Sequence, residues 1–222
     1  MKGCVTLKRC IAAWLLFFTA ALWAQSQEDV FRYPLGAETM EAFTVTCAAL
    51  AEHPVVKGSF EQEKVLSRLN RSLKSSGNFI IAAGQGMVWE TLLPFASTLV
   101  LGRDYFAQSR PGGEANLVSA AGNETFIRFA EIISAVFSGN SQGLLGNFEV
   151  FYSGSPSLWE LGLLPKDKTF AVFALKITMK GDAALKSILI NELNGDSTRY
   201  TMSDQSYPPG LNAQERAFFQ AP

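Results

Sequence analysis

Apolar and polar positions change period several times along the chain, and the changes mark out its elements. Over residues 38–52, Met40, Phe43, Cys47 and Leu50 recur at helical spacing with Pro54 just beyond, so the pattern predicts an amphipathic helix. The period then shortens. Residues 56–66 and 68–81 read as two long strands around a turn at Leu69-Asn70-Arg71, with one charged, solvated face. Gly84-Gln85-Gly86 signals another turn and 87–90 a short strand. Residues 97–101 and 105–109 form a hairpin about Gly102-Arg103-Asp104, which Pro111-Gly112-Gly113 ends. From Asn123, a candidate N-cap, to Gly139, a candidate stop, the helical period returns. Glu124, Arg128, Glu131, Ser134 and Ser138 line one face of this segment. Phe126, Ile127, Phe129, Ile132, Ile133, Val136 and Phe137 cover the remainder, an apolar arc broader than a surface helix needs.

After a short piece at Leu144-Leu145, strands are predicted over 148–152, 158–163, 170–179, 186–193 and 197–202. Asn194-Gly195-Asp196 is a tight-hairpin signal between the last two. The tail from Ser206 reads as loop plus a terminal edge segment. Consecutive strands joined by short turns favour an antiparallel meander. A sheet curled around the two helices is the simplest way to cover their apolar surface.

The first residues change the picture of where such a domain resides. Lys2, Lys8 and Arg9 precede thirteen uncharged residues, 11–23, and Ala24 leads into a polar stretch. That order predicts a secretory signal peptide over 1–24, cleaved after Ala24, and one domain over 25–222. Thirteen residues span about 20 Å as a helix, short of a hydrocarbon core of roughly 30 Å. Removing the leader lowers Lys plus Arg from 19 to 16 against 20 Asp plus Glu, a net charge of −4. A basic surface of the kind nucleic acid requires is absent, so no nucleic-acid partner is expected. The mature chain, expected to be soluble and monomeric, keeps Cys47 alone, which cannot form an internal disulfide.

Catalytic chemistry is poorly represented. Gly139-Asn140-Ser141-Gln142-Gly143 matches the G-x-S-x-G nucleophile elbow, but a helix rather than a strand precedes Ser141. The single histidine, His53, lies far upstream and reads as a helix-terminus residue. One His and one mature Cys make no zinc cluster, and Gly84-Gln85-Gly86 lacks the third glycine of a phosphate loop. Neither an enzyme nor a cofactor is expected.

Several short motifs in order carry a family resemblance. Gly58-Ser59-Phe60-Glu61-Gln62 resembles the G-x-F-x-Q first strand of LolA-like outer-membrane lipoprotein carriers. Ser76-Gly77-Asn78-Phe79 and Val88-Trp89-Glu90 resemble the S-G-x-F and F-x-W-E strands that follow. Pro94 with Leu99-Val100-Leu101-Gly102, the segment 126–151, Leu161-Gly162-Leu163-Leu164-Pro165, and Asn194-Gly195-Asp196 are similar to later features. The match runs over about 54–204. It implies an α+β fold: an incomplete, half-open antiparallel β-barrel with helices covering its concave face. Acyl chains would lie between sheet and helices, and the candidate lining is Phe60, Phe79, Ile81, Met87, Trp89, Leu99, Leu101, Phe126, Phe129, Ile132, Ile133, Val136, Phe137 and Phe148. A charge at Phe129 or Ile133 is accordingly expected to weaken cargo binding more than folding. The resemblance further implies a periplasmic carrier of acylated lipoproteins, loaded by an inner-membrane ABC exporter and unloaded at an outer-membrane acceptor. Another acylated lipid or glycolipid as cargo, or a lipoprotein-sensing module, stays open. One departure stands out. Family members usually carry Arg-Pro six and seven residues after the S-G-x-F glycine, the arginine tying the helical lid shut. Here those positions are Ala83 and Gly84.

Overall fold

The computed structural model describes residues 29–102, 105–111, 116–117, 124–171 and 173–220. The predicted leader, the turn residues Arg103 and Asp104, the Gly112-Gly113 stop, the Asn123 cap, and the side chains of Phe126 and Phe129 lie outside this description. In chain order the elements are α1 (Ala37–Ala51), β1 (Val55–Leu66), β2 (Arg71–Ala82), β3 (Gly86–Leu93), β4 (Ser97–Leu101), β5 (Phe106–Ser109) and β6 (Asn116–Leu117). There follow α2 (Glu124–Phe137), α3 (Ser141–Asn147), β7 (Phe148–Ser155), β8 (Leu158–Pro165) and α4 (Lys168–Ala171). The chain closes with β9 (Lys176–Gly181), β10 (Leu185–Asn191), β11 (Ser197–Ser206) and α5 (Ala213–Phe218).

All the strands join one antiparallel sheet in the order β6-β5-β4-β3-β2-β1-β11-β10-β9-β8-β7. It consists of two meanders sewn together where β1 pairs with β11, Phe60 opposite Met202 and Gln62 opposite Tyr200. The sheet stays open between β6 and β7. Because α2 and α3 follow β6 and lead into β7, that connection must cross the open side. The β7 edge is covered by the chain ahead of α1: the Leu35 amide donates to the Val150 carbonyl at 2.9 Å, and the Tyr152 amide to Tyr33 at 3.0 Å. Covering an edge this way removes a template for aggregation.

Alternation puts Phe60, Phe79, Ile81, Met87 and Trp89 on the concave face, in one buried cluster with Phe43, Cys47 and Leu50 of α1 and Ile132, Ile133, Val136 and Phe137 of α2. The aromatic centre is tightly stacked: Phe60 and Trp89 have ring centroids 3.9 Å apart, and Tyr200 meets Trp89 edge-on at 5.5 Å. Helix α1 is fixed over β7 by a buried hydrogen bond between the Thr46 and Tyr152 hydroxyls, 2.7 Å. Its buried face is therefore Phe43, Thr46, Cys47 and Leu50, and Met40, expected on that face, is exposed.

Two of the motif glycines have a steric cause. A Cβ on Gly77 would lie 1.8 Å from the Glu90 carbonyl oxygen, and one on Gly58 would lie 2.7 Å from that of Ser203. Gly77 sits where the β2–β3 register shifts, which draws the two backbones together. Gly77→Ala should lower stability by about 3 kcal/mol, the scale of a severe overpacking, read as a drop in the urea midpoint. An unchanged midpoint would show that the two strands can part at no cost.

Two predicted elements differ. The strand expected over 170–179 begins only at Lys176, because α4 and the turn after it, in which the Phe173 and Ala174 amides donate to Phe170, consume the earlier residues. The tail is not an edge segment but α5, started by a capping box in which Asn212 and Glu215 cap each other's amides at 2.9 Å. Lys57 Nζ then donates to both Glu215 carboxylate oxygens, at 2.5 and 2.7 Å, and seats α5 on the convex side of β1. Burial would raise the Glu215 pKa, yet Lys57 and the Asn212 amide hold it below the ordinary value.

Candidate functional site

The site is the space between the concave face and the α2–α3 connection, and local sequence fixes how that connection runs. The α2 helix stops because Gly139 takes a left-handed φ of +65°. Asn140 then caps α3, its side-chain oxygen accepting from the Gly143 amide at 2.9 Å. Ser141, the serine of the elbow-like motif, is simply the first residue of α3, and His53 stacks on Tyr207 at 4.0 Å. At the far end of α3, Lys166 Nζ donates to the Leu145 carbonyl at 2.7 Å, tying the helix to the end of β8.

Two clefts flank α2. The first, about 570 Å³, has the β2–β3 turn (Ala82, Ala83, Gly84, Gln85, Gly86) and Leu101 on the sheet side, and Glu131, Ser134, Ala135, Phe137, Ser138 and Asn140 on the helix side. The second, about 320 Å³, lies between α2, α3 and α4, with Ile132, Leu144, Phe148 and Phe170 in its lining. Both fall within the roughly 300–1,000 Å³ typical of small-molecule sites. Glu131, Ala135 and Asn140 border both, so the second half of α2 and the residue that caps α3 form a ridge between them. Depressions on the other side of the sheet are lined by Glu61, Glu63, Lys74 and Arg199, or by Asp29, Glu160, Lys176 and Lys180, which suits no acyl chain.

Of the candidate lining residues, Ile81, Leu101 and Phe137 reach the first cleft, and Ile132 and Phe148 the second. Phe60, Phe79, Met87, Trp89, Ile133 and Val136 lie beneath both, in the closed core, with Leu99 packed against it. Sequence reasoning missed Ala135, Ser134, Ser138 and the β2–β3 turn as lining. Their signal was size: short side chains on a helix otherwise set with Phe and Ile leave room beside it.

Cys47 is packed in the core, where burial pushes its thiol up to about 11, so it stays protonated and unreactive. Among the described residues, no group of three or more His, Cys, Asp or Glu could hold a metal ion, and no helix is long and apolar enough to cross a membrane.

No family model and no curated protein matches the chain. Among solved structures, an outer membrane lipoprotein-sorting protein domain from Vibrio parahaemolyticus is similar at 13% identity and TM-score 0.41, over 86% of this chain and 100% of that one. A LolA superfamily protein from Nitrosomonas europaea is similar at 7% identity and TM-score 0.42, over 78% and 94% of the two chains. A chain of the MucA/MucB complex of Pseudomonas aeruginosa is similar at 12% identity and TM-score 0.46, over 84% of this chain and 62% of that one. The chain's own architecture is an open antiparallel sheet with helices across its concave side, an α+β fold and not a closed barrel.

Proposed function

We propose that this chain is a periplasmic carrier that holds the acyl chains of lipoproteins between α2 and the sheet. The observation that supports it best is the position of α2. A helix with a broad apolar arc crosses the open side of a curled sheet, flanked by two clefts, instead of being sealed under further strands. Moving α2 away from the sheet would merge the clefts and uncover the aromatic floor beneath. Burying a sixteen-carbon chain is worth about 12 kcal/mol at roughly 0.8 kcal/mol per methylene, and an apolar helix over an apolar floor offers matching surface.

The test begins with the mature chain purified from a bacterial envelope, extracted and analysed by mass spectrometry for bound lipoprotein or lipid. It continues with titration of an environment-sensitive acyl dye. Ser134→Trp, which fills the first cleft from α2, should weaken dye binding at least tenfold while leaving the melting temperature within a few degrees. A chain that carries no lipid and binds no dye defeats the proposal. Glycolipid alone among the extracted species would keep the site but change the cargo. Lipoprotein among them supports loading by an inner-membrane exporter and delivery to an outer-membrane acceptor.

A further inference from the structure

The β1–β2 hairpin carries a surface that the acyl-binding site does not use. β3 ends opposite Ser76, so the hairpin projects beyond it by the length of residues 66–75. Its tip reads Arg68-Leu69-Asn70-Arg71-Ser72-Leu73-Lys74, with Asn70 in a left-handed turn at φ 48°. Leu69 is 66% exposed and Leu73 57%. Beside them stands Leu193, 64% exposed, in the β10–β11 turn that is tied to the tip by the Ser67 amide donating to Asp196 at 2.9 Å.

Cations outnumber acids around this apolar tip, with Arg68, Arg71, Lys74 and Lys64 against Glu63, Glu192 and Asp196. Arg68 and Arg71 are exposed and make no ion pair among the described residues, and Lys74 reaches Glu63 only at 3.9 Å. Of the nearby acids, Glu192 is paired with Lys64 at 2.9 Å, while Asp196 accepts from neutral donors, the Ser67 amide and the Asn194 side chain, and keeps its charge. Cations on the overhanging β2 edge would by themselves be ordinary protection against edge pairing. Exposed leucines on the same edge are what such protection avoids, so a second role is needed. Leucines flanked by the exposed cations Arg68 and Arg71 match the acyl boundary and phosphates of an anionic bilayer. The net negative charge of the mature chain does not prevent this. Screening confines each charge to about 10 Å at 0.1 M salt, so the local surplus of cations at the tip, and not the net charge of the chain, governs contact there.

We infer that the β1–β2 hairpin tip docks this protein on the surface of an anionic lipid bilayer, Leu69 and Leu73 entering the interface and Arg68, Arg71 and Lys74 contacting headgroup phosphates. The inference does not rest on the acyl-carrier reading: a chain that binds vesicles but no acyl dye upholds one and defeats the other.

The experiment is flotation of the full mature chain with vesicles of phosphatidylcholine and phosphatidylglycerol at 3:1, and with phosphatidylcholine alone. Binding to the anionic vesicles is expected, weakening as salt rises. Arg68→Gln with Arg71→Gln should reduce partitioning about 25-fold, roughly fivefold for each cation near the surface. Leu69→Ser with Leu73→Ser should reduce it at least tenfold. All four side chains are exposed, so melts of both variants should match the parent. Phe95, 83% exposed but set back from the tip beyond the end of β3, serves as a control, and Phe95→Ser should bind as the parent does. The inference is overturned by an unbound parent protein, by hairpin variants that bind undiminished, or by loss in Phe95→Ser alone. Capture by polyglutamate but not by anionic vesicles would assign the tip to an acidic protein and overturn it as well.

Discussion

Ile133→Glu will unfold this protein rather than merely empty it. The breadth of the α2 arc reads as a cavity wall, and on that reading a charge at Ile133 weakens cargo binding before folding. The packing reverses the order. Ile133 is fully buried, in one cluster with Phe60, Trp89 and the core of α1, and it borders neither cleft. A glutamate there either ionises without solvent or stays protonated, its pKa raised by up to 3–5 units; each unit costs about 1.4 kcal/mol. The loss of isoleucine packing adds to this. A total of about 5 kcal/mol or more meets the lower end of the 5–15 kcal/mol that holds a typical domain folded. Circular dichroism at neutral pH should show a melt shifted down by tens of degrees, or no cooperative melt. Partial rescue is expected as the pH falls, because the protonated acid is the cheaper form to bury. A variant that melts with its parent and loses only dye binding would show that water reaches Ile133, and that the site lies deeper than the two clefts.

The contrast between Ile133 and Ser134 shows what the sequence could and could not convey. Pairing of consecutive strands was legible because turns announce themselves, though the β1–β11 seam was not: Asn194-Gly195-Asp196 closes its hairpin with Gly195 at φ 90° and the Asp196 amide donating to Asn194 Oδ1 at 2.8 Å. The α2 stop at Gly139 was legible for the same reason. The α5 helix was legible but unread, since Asn212-Ala213-Gln214-Glu215 is a capping box in plain sequence. The concave wall was only half legible. Periodicity separates apolar from polar positions, but it does not divide an apolar face into residues that pack dry and residues that border space. That division depends on which side chain a neighbour brings from more than a hundred residues away, as Tyr152 does for Thr46. Small residues such as Ala135 mark the space, and they leave no hydrophobic signal.

Restoring an arginine at position 83 should make the protein hold cargo less readily. Ala83 lies in the β2–β3 turn, its amide donating to the Pro54 carbonyl at 2.9 Å, and it lines the first cleft together with Ser134 and Ser138. The far wall is the C-terminal half of α2, whose last turn carries no basic residue. Helix C-termini favour a cation through their unpaired carbonyls and the helix dipole. An arginine at 83 would therefore span the cleft and bind the end of α2, closing the passage between helix and sheet. Hydrogen bonds from a charged donor contribute about 1.5–3 kcal/mol each, so one such bond favours the closed form by roughly ten- to a hundredfold. Cargo must break it to enter, and apparent affinity falls by the same factor. In the parent, Ala83 cannot make that bond, so loading is easier and closure contributes less to release. Titration of parent and Ala83→Arg with one acyl dye, alongside matching melts, measures the difference. Affinity that stays equal or rises in the arginine variant would mean that α2 does not move to admit cargo, and that the clefts fill from their outer ends with the helix in place.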